Sequence, residues 1–214
     1  MKITKYGHCC FVAEPKEGVF IMTDPGAPDY SGLKNYPENI SAILITHEHA
    51  DHLHIESLQE ILKNNPNAIV ITNSAVGKLL DEASIKYIKV EEGENYELMG
   101  VQISGFGNRH AEIYDEFGQV QNTGFMIDKL CYPGDSFNFP DKEVDILALP
   151  VAGPWMKIRD AIDYAKKIKP RIVFPVHDAM LKDFATFLYT IPAYFLKSDD
   201  IVFKKLEIGK EEIL

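Results

Sequence analysis

The sequence predicts an α/β fold with segregated strands (α+β): a four-layer αβ/βα sandwich, in which two mixed β-sheets pack face to face with helices outside. Three observations predict it. Each half of the 214-residue chain opens with short strands and then alternates helix with strand. The helical stretches keep their apolar residues on one face. No linker rich in Pro, Gly or Ser separates the halves, so they are expected to share one core as a single domain over 1–214.

The first 45 or so residues read as strands at Lys2 to Tyr6, Cys9 to Ala13, Val19 to Thr23 and Ala42 to Thr46. Gly7, Gly18 and the turn Asp24-Pro25-Gly26 punctuate them. Ile55, Leu58, Ile61 and Leu62 keep helical spacing, predicting a helix over Ile55 to Lys63 that Asn64-Asn65-Pro66-Asn67 ends. Ala68 to Thr72 is a buried strand, Ser74 is placed to cap a helix running to Glu82, and strand pattern returns near Ile85 to Val90. In the second half, strands are expected at Val101 to Phe106, Asn122 to Asp128, Lys129 to Tyr132, Asp145 to Leu149 and Ile172 to Pro175. A helix over Lys157 to Lys169 carries Ile158, Ala161, Ile162, Ala165 and Ile168 on one face. A helix near Met180 to Tyr189 and a strand over Ile201 to Leu206 close the chain.

A net charge of −10 disfavours a sequence-independent grip on nucleic-acid phosphates, and no run of Lys or Arg reverses that locally. Cys9, Cys10 and Cys131 lack metal-type spacing and read as buried strand residues of a reducing compartment. The N-terminal segment has no signal-peptide pattern, and the longest apolar run, Phe184 to Leu196, is interrupted by Pro192. The expectation is a cytoplasmic protein without a membrane span, its aromatic C-terminal stretch offering a homo-oligomer contact.

The chemistry concentrates directly after the apolar strand Ala42-Ile-Leu-Ile-Thr46, in His47-Glu48-His49-Ala50-Asp51-His52. Alternate strand positions point the same way, so His47 and His49 can reach one ion together. Asp51 and His52, where the chain turns, can address a neighbouring ion. Imidazole nitrogens and a carboxylate suit zinc, and such mixed donors also accept manganese or iron.

HxHxDH after a buried strand resembles the metallo-β-lactamase superfamily of di-metal hydrolases. That resemblance implies three further ligands: His110 as third ligand of the first ion, Asp135 as bridging carboxylate and His177 as last ligand of the second. They stand in order, in Gly107-Asn-Arg-His110, Tyr132-Pro-Gly-Asp135 and Phe174-Pro-Val-His177. No cysteine ligand appears, unlike the zinc β-lactamases. Glu48-His49 departs from the HxExDH of diiron flavoproteins, and no nuclease-type inserted domain fits between Asp135 and His177. The compact length and Leu149-Pro-Val-Ala-Gly-Pro-Trp155 look like the small metal-dependent hydrolase branch that includes L-ascorbate-6-phosphate lactonase. N-acyl-phosphatidylethanolamine phospholipase D is a larger relative of that type.

The resemblance implies two divalent ions, zinc foremost, and a bridging hydroxide that attacks an ester, lactone or similar bond. Asp51 is the expected catalytic group as well as a ligand, orienting the nucleophile or returning a proton. Asp24 is expected to support the first histidines, and Asp178, His8, Trp155 and Lys157 are weaker candidates for support or substrate contact. His54 reads as a rim residue, and residues 111–118 as a hairpin walling the pocket. Four positive charges from two ions outweigh three negative ones from Asp51, Asp135 and hydroxide, so the expected partner is a small anionic substrate. A phosphodiesterase or nuclease on the same metals is the alternative, for which only Arg109, Lys157 and Arg159 offer a basic path. A non-catalytic metal-binding descendant is disfavoured by the complete ligand set.

Overall fold

The computed structural model describes residues 1–33 and 36–214, side chains at 183 and 184 excepted. In chain order the elements are β1 (Lys2–Lys5), β2 (Phe11–Lys16), β3 (Val19–Thr23), α1 (Pro28–Ser31), β4 (Ala42–Leu44), α2 (Ile55–Asn64), β5 (Ile69–Thr72), α3 (Ser74–Glu82) and β6 (Tyr87–Lys89). The second half contributes β7 (Asn95–Leu98), β8 (Val101–Phe106), β9 (Gly124–Ile127), β10 (Leu130–Tyr132), β11 (Ile146–Pro150), α4 (Ile158–Ile168), β12 (Ile172–Val176), α5 (Phe187–Leu196), β13 (Val202–Phe203) and β14 (Glu211–Ile213).

The strands form two seven-stranded sheets, β14-β1-β2-β3-β4-β5-β6 and β13-β12-β11-β10-β9-β8-β7. Each is mixed in the same way. β14, β1, β2 and β3 pair antiparallel and β3 to β6 parallel. In the other sheet β7 to β10 pair antiparallel and β10 to β13 parallel.

Alternation along β4 shows how the layers are made. Ala42 and Leu44 join the core between the sheets with Ile3, Phe11, Ile21, Phe125, Tyr132 and Phe174. Ile43 and Ile45 face the other way, under Leu58 and Ile61 of α2 and Val76 and Leu80 of α3. The second sheet repeats this: Leu147, Leu149 and Val173 meet Ala161, Tyr164 and Ala165 of α4 and Leu196 of α5. Burial on both faces explains why these strands read as continuous apolar runs. Phe11 meets the rings of Tyr132 and Phe174 edge-on, with centroids 5.4 and 5.3 Å away. The four-layer expectation holds.

Several boundaries differ from the sequence reading. Asn73, not Ser74, caps α3, accepting from the N–H groups of Ala75 and Val76. The last helix lies later than Met180 to Tyr189: a 3₁₀ turn spans Asp183–Thr186 and α5 follows. Pro192 sits inside α5, which forgoes one backbone hydrogen bond and buries the ring instead. Only Val202–Phe203 of the expected final strand pairs, and β7 and β14 were not anticipated. No helix among the described residues is long and apolar enough to cross a membrane.

Candidate metal centre

Strand ends deliver the polar side chains to one place. The chain leaving β4 carries His47 to His52, the loop after β8 carries His110, the turn after β10 carries Asp135, and the turn after β12 carries His177. Close backbone packing fixes these exits. A Cβ on Gly26 would stand 2.1 Å from the Asp51 carbonyl oxygen, so only glycine lets the segment after β3 lie against the Asp51 turn. His177 itself adopts φ 58°, a left-handed conformation that non-glycine residues take mostly where surroundings enforce it.

His47, His49 and His110 each present a ring nitrogen to the others within 4.8 Å, and His8, Asp51, His52 and His177 form a second such group. Asp135 lies between them. Its Oδ2 is 2.8 Å from His177 Nε2, 3.3 Å from His110 Nε2 and 4.0 Å from His47 Nε2, while Oδ1 is 3.2 Å from His52 Nε2. His47, His52, His110, Asp135 and His177 are buried; Asp51 and His49 are partly open to solvent.

Hydrogen bonds on the far side of three rings set their tautomers. Thr46 Oγ1 donates to Asp24 Oδ2 at 2.6 Å and is thereby left to accept from His47 Nδ1 at 3.0 Å. His52 Nδ1–H donates to Asp24 Oδ2 at 2.7 Å, and His110 Nδ1–H to the Ala111 carbonyl at 2.6 Å. Each of the three therefore turns an Nε2 lone pair inward. His49 Nδ1 lies 3.1 Å from His47 Nε2, a separation that calls for a proton or a cation to be shared.

The inward atoms lack partners. His52 Nε2, His110 Nε2, Asp135 Oδ1 and both ring nitrogens of His177 are buried without a hydrogen bond. Leaving such atoms unsatisfied costs roughly 1–3 kcal/mol each, and cations among the lone pairs remove that penalty. The donor set fits divalent metal. Electrostatics agree in direction. Burial opposes ionisation of Asp135, yet the imidazoles packed around it, His52 and His177 foremost, hold its pKa well below the carboxylate range. Burial also opposes ionisation of Asp51, but the hydrogen bond from His8 keeps its pKa depressed. Burial depresses the pKa of His47.

The supporting candidates separate. Asp24, fully buried, accepts from the Thr46 N–H and hydroxyl, His52 and the Tyr132 hydroxyl. Trp155 is buried, its indole N–H donating to Asp135 Oδ2 at 3.0 Å. Lys157 is exposed at the start of α4, where its backbone N–H donates to Asp160. Asp178 is partly buried, accepting from Lys5 at 2.6 Å and from the Tyr189 hydroxyl. His54, partly exposed, caps α2, its ring accepting from the Ser57 N–H. The 111–118 segment closes with a bridge between Tyr114 and Phe117, and Gly118 lies beside His49.

Four contributors escaped the sequence reading: Thr46, Tyr132, Asn122 and Lys5. Asn122 accepts the Asp135 N–H and donates to the Pro133 carbonyl, shaping the turn that presents Asp135. Lys5, only 2% exposed, donates to the Pro175 carbonyl and Asp178, tying β1 to the turn that bears His177. Thr46 and Tyr132 adjoin the motifs, a signal available in sequence; Lys5 had none.

Residues 2–177 match the Beta-lactamase superfamily domain. The chain belongs to the metallo-β-lactamase superfamily. A Mycobacterium tuberculosis protein is 32% identical over 197 residues, covering 88% of this chain and 89% of its own. A UPF0173 metal-dependent hydrolase of Thermoplasma acidophilum is 31% identical over 190 residues, 83% of each chain. Among solved structures, Igni18, a metallo hydrolase of Ignicoccus hospitalis, superposes with a TM-score of 0.77 at 20% identity, over 99% of this chain and 97% of that one. The metallo-β-lactamase fold protein YhfI of Bacillus subtilis gives 0.73 at 14% identity, over 99% and 98%. The expected class, a metal-dependent hydrolase of the metallo-β-lactamase superfamily, stands with these relatives.

Proposed function

We propose that this chain is a di-metal hydrolase cleaving an ester, lactone or similar bond of a small anionic substrate. One observation carries the reading: Asp135 stands between two groups of inward-facing nitrogens, its two oxygens addressing different histidines. His47, His49 and His110 would hold one ion, Asp51, His52 and His177 the other, and Asp135 both. Two divalent ions, when bound, supply a water of lowered pKa and a Lewis acid for the scissile oxygen.

The chain's own groups do the rest. Asp24 holds His52 in the tautomer that leaves Nε2 free. Trp155 covers Asp135 and steadies it through the indole N–H, shutting bulk water from that side. Asp51, ionised and partly open to solvent, is placed to take a proton from the nucleophile or return one to the leaving group.

The small-substrate half of the reading draws on the fate of the basic side chains. Arg159 pairs with Asp163 at 3.2 Å, and Arg109 is engaged by Gln119. Beside a net charge of −10, so few basic side chains make no path along which a run of phosphates could be neutralised, as nucleic-acid enzymes require. L-ascorbate-6-phosphate-like lactones represent the class we favour. The test is elemental analysis of metal-saturated protein, followed by a panel of lactones, phosphodiesters and thioesters run beside single- and double-stranded oligonucleotides. Two ions per chain and turnover of a small anionic ester or lactone are expected. A saturated chain that binds no metal overturns the di-metal site; cleavage of oligonucleotides with a silent panel overturns the substrate class.

A further inference from the structure

His8 lies in the corner between β1 and β2, far in sequence from the motif histidines, and is 1% exposed. Its backbone is held on both sides: its N–H donates to the Tyr30 carbonyl, and its carbonyl accepts the His177 N–H, each at 3.0 Å. Gly7 secures the corner, since a Cβ there would stand 2.4 Å from the Ser31 oxygen. The ring packs on His177 with centroids 4.0 Å apart. By proximity alone His8 would count as a fourth donor beside Asp51, His52 and His177.

The hydrogen bonds assign it otherwise. The Ala179 backbone N–H donates to His8 Nδ1 at 3.2 Å. A backbone amide cannot give up its proton, so Nδ1 must carry the lone pair, and the ring proton sits on Nε2. Nε2 in turn lies 3.2 Å from Asp51 Oδ2. A ring that ligated through Nε2 would have to carry its proton on Nδ1, donor facing donor across the Ala179 contact.

We propose that His8 is a positioning residue for Asp51: its Nε2–H holds the Asp51 carboxylate toward His52 and His177, and it does not ligate metal. This rests on the di-metal reading above and deepens it. Asp51 is partly open to solvent, with its side chain 24% exposed, and lies on a turn rather than a strand. It therefore has freedom to lose, and the Ala179–His8–Asp51 relay removes that freedom. The relay also joins Asp51 to the turn after β12 that carries His177, so two residues proposed for one ion are set in common.

Long-range ¹H–¹⁵N NMR of the zinc-loaded protein reads the tautomer directly. The expected result is a protonated Nε2 and an unprotonated, metal-free Nδ1 at His8; a metal-shifted Nε2 overturns the proposal. Calorimetric zinc titration of two variants gives the second readout. His8→Ala is expected to weaken one of the two ions roughly 10–100-fold, the usual loss when a partner of a metal ligand is removed. His8→Gln, whose amide can still donate from near the Nε2 position, is expected to recover most of it. Equal loss in His8→Gln and His8→Ala overturns the positioning role. A wild-type chain that binds no zinc sinks the di-metal reading, and the tautomer and hydrogen bond of His8 in that same sample still decide whether it holds Asp51.

Discussion

The indole N–H of Trp155 points at Asp135 Oδ2 from 3.0 Å, within a buried pair 20 residues apart in sequence. A loop after β11 thus sets the carboxylate on which both proposed ions depend. Trp155→Phe keeps most of the packing and deletes only the donor. A hydrogen bond to a charged group is worth about 1.5–3 kcal/mol, so a fall in kcat/KM of roughly 10–100-fold is expected. Steady-state kinetics with metal in excess checks this, and an unchanged rate would show that Asp135 needs no help from the indole.

Asp135→Ala removes the one group shared by both nitrogen clusters. The expected protein is folded, as judged by circular dichroism, but has lost one ion or both and nearly all turnover. Elemental analysis separates this from a local defect: full metal content with wild-type rates would refute the bridging role.

Asp24→Ala strips the acceptor from four donors at once: the Thr46 N–H and hydroxyl, His52 and Tyr132. An unsatisfied buried donor costs roughly 1–3 kcal/mol, so a loss of at least about 2 kcal/mol in urea unfolding is expected. Metal affinity should drop about 10–100-fold as His52 loses its fixed tautomer. Loss of stability with unchanged affinity would confine Asp24 to folding.

Glu91 gives a pH test away from the metals. Hydrogen bonds from the Ser74 hydroxyl, Gln121 and the Ser74 N–H, against a small opposing effect of burial and with help from Lys89, push its carboxyl down to about 2 from an ordinary 4.5. The folded pKa is depressed, so its contribution to stability is present above 4.5 and lost as pH falls toward 2. Solvent contact keeps that contribution modest. Urea midpoints of wild type and Glu91→Gln should differ at pH 6 and converge as the solution is acidified; a constant difference would mean that ionisation of Glu91 is not involved.

What was readable in the sequence follows from burial. β4, β5, β11 and β12 lie under helices and against the opposite sheet, so both faces demand apolar residues and the runs stand out. β7 and β14 escaped notice because they are edge strands with mostly exposed side chains, Asn95-Tyr-Glu-Leu98 and Glu211-Glu-Ile213. Pro192 misplaced the last helix, since its ring is usually a terminator and here is tolerated by burial. At the site, the donor residues were legible because their chemistry is rare and their spacing regular. Lys5 was not, because a lysine alternating with apolar neighbours on a short strand reads as solvated, and only Asp178 and the Pro175 carbonyl, about 170 residues away, draw it inside.

The division of donors between the two sheets has a thermodynamic consequence. His47, His49, Asp51 and His52 leave the first sheet; His110, Asp135 and His177 leave the second. Each proposed ion would therefore draw on both, and neither half of the chain holds a complete set. Metal uptake and the docking of one sheet on the other become linked equilibria: whatever separates the sheets disperses the ligands, and whatever binds the ligands resists separation. The temperature of unfolding should climb with the concentration of free metal, and a chelator should loosen the sandwich itself as well as silence the enzyme.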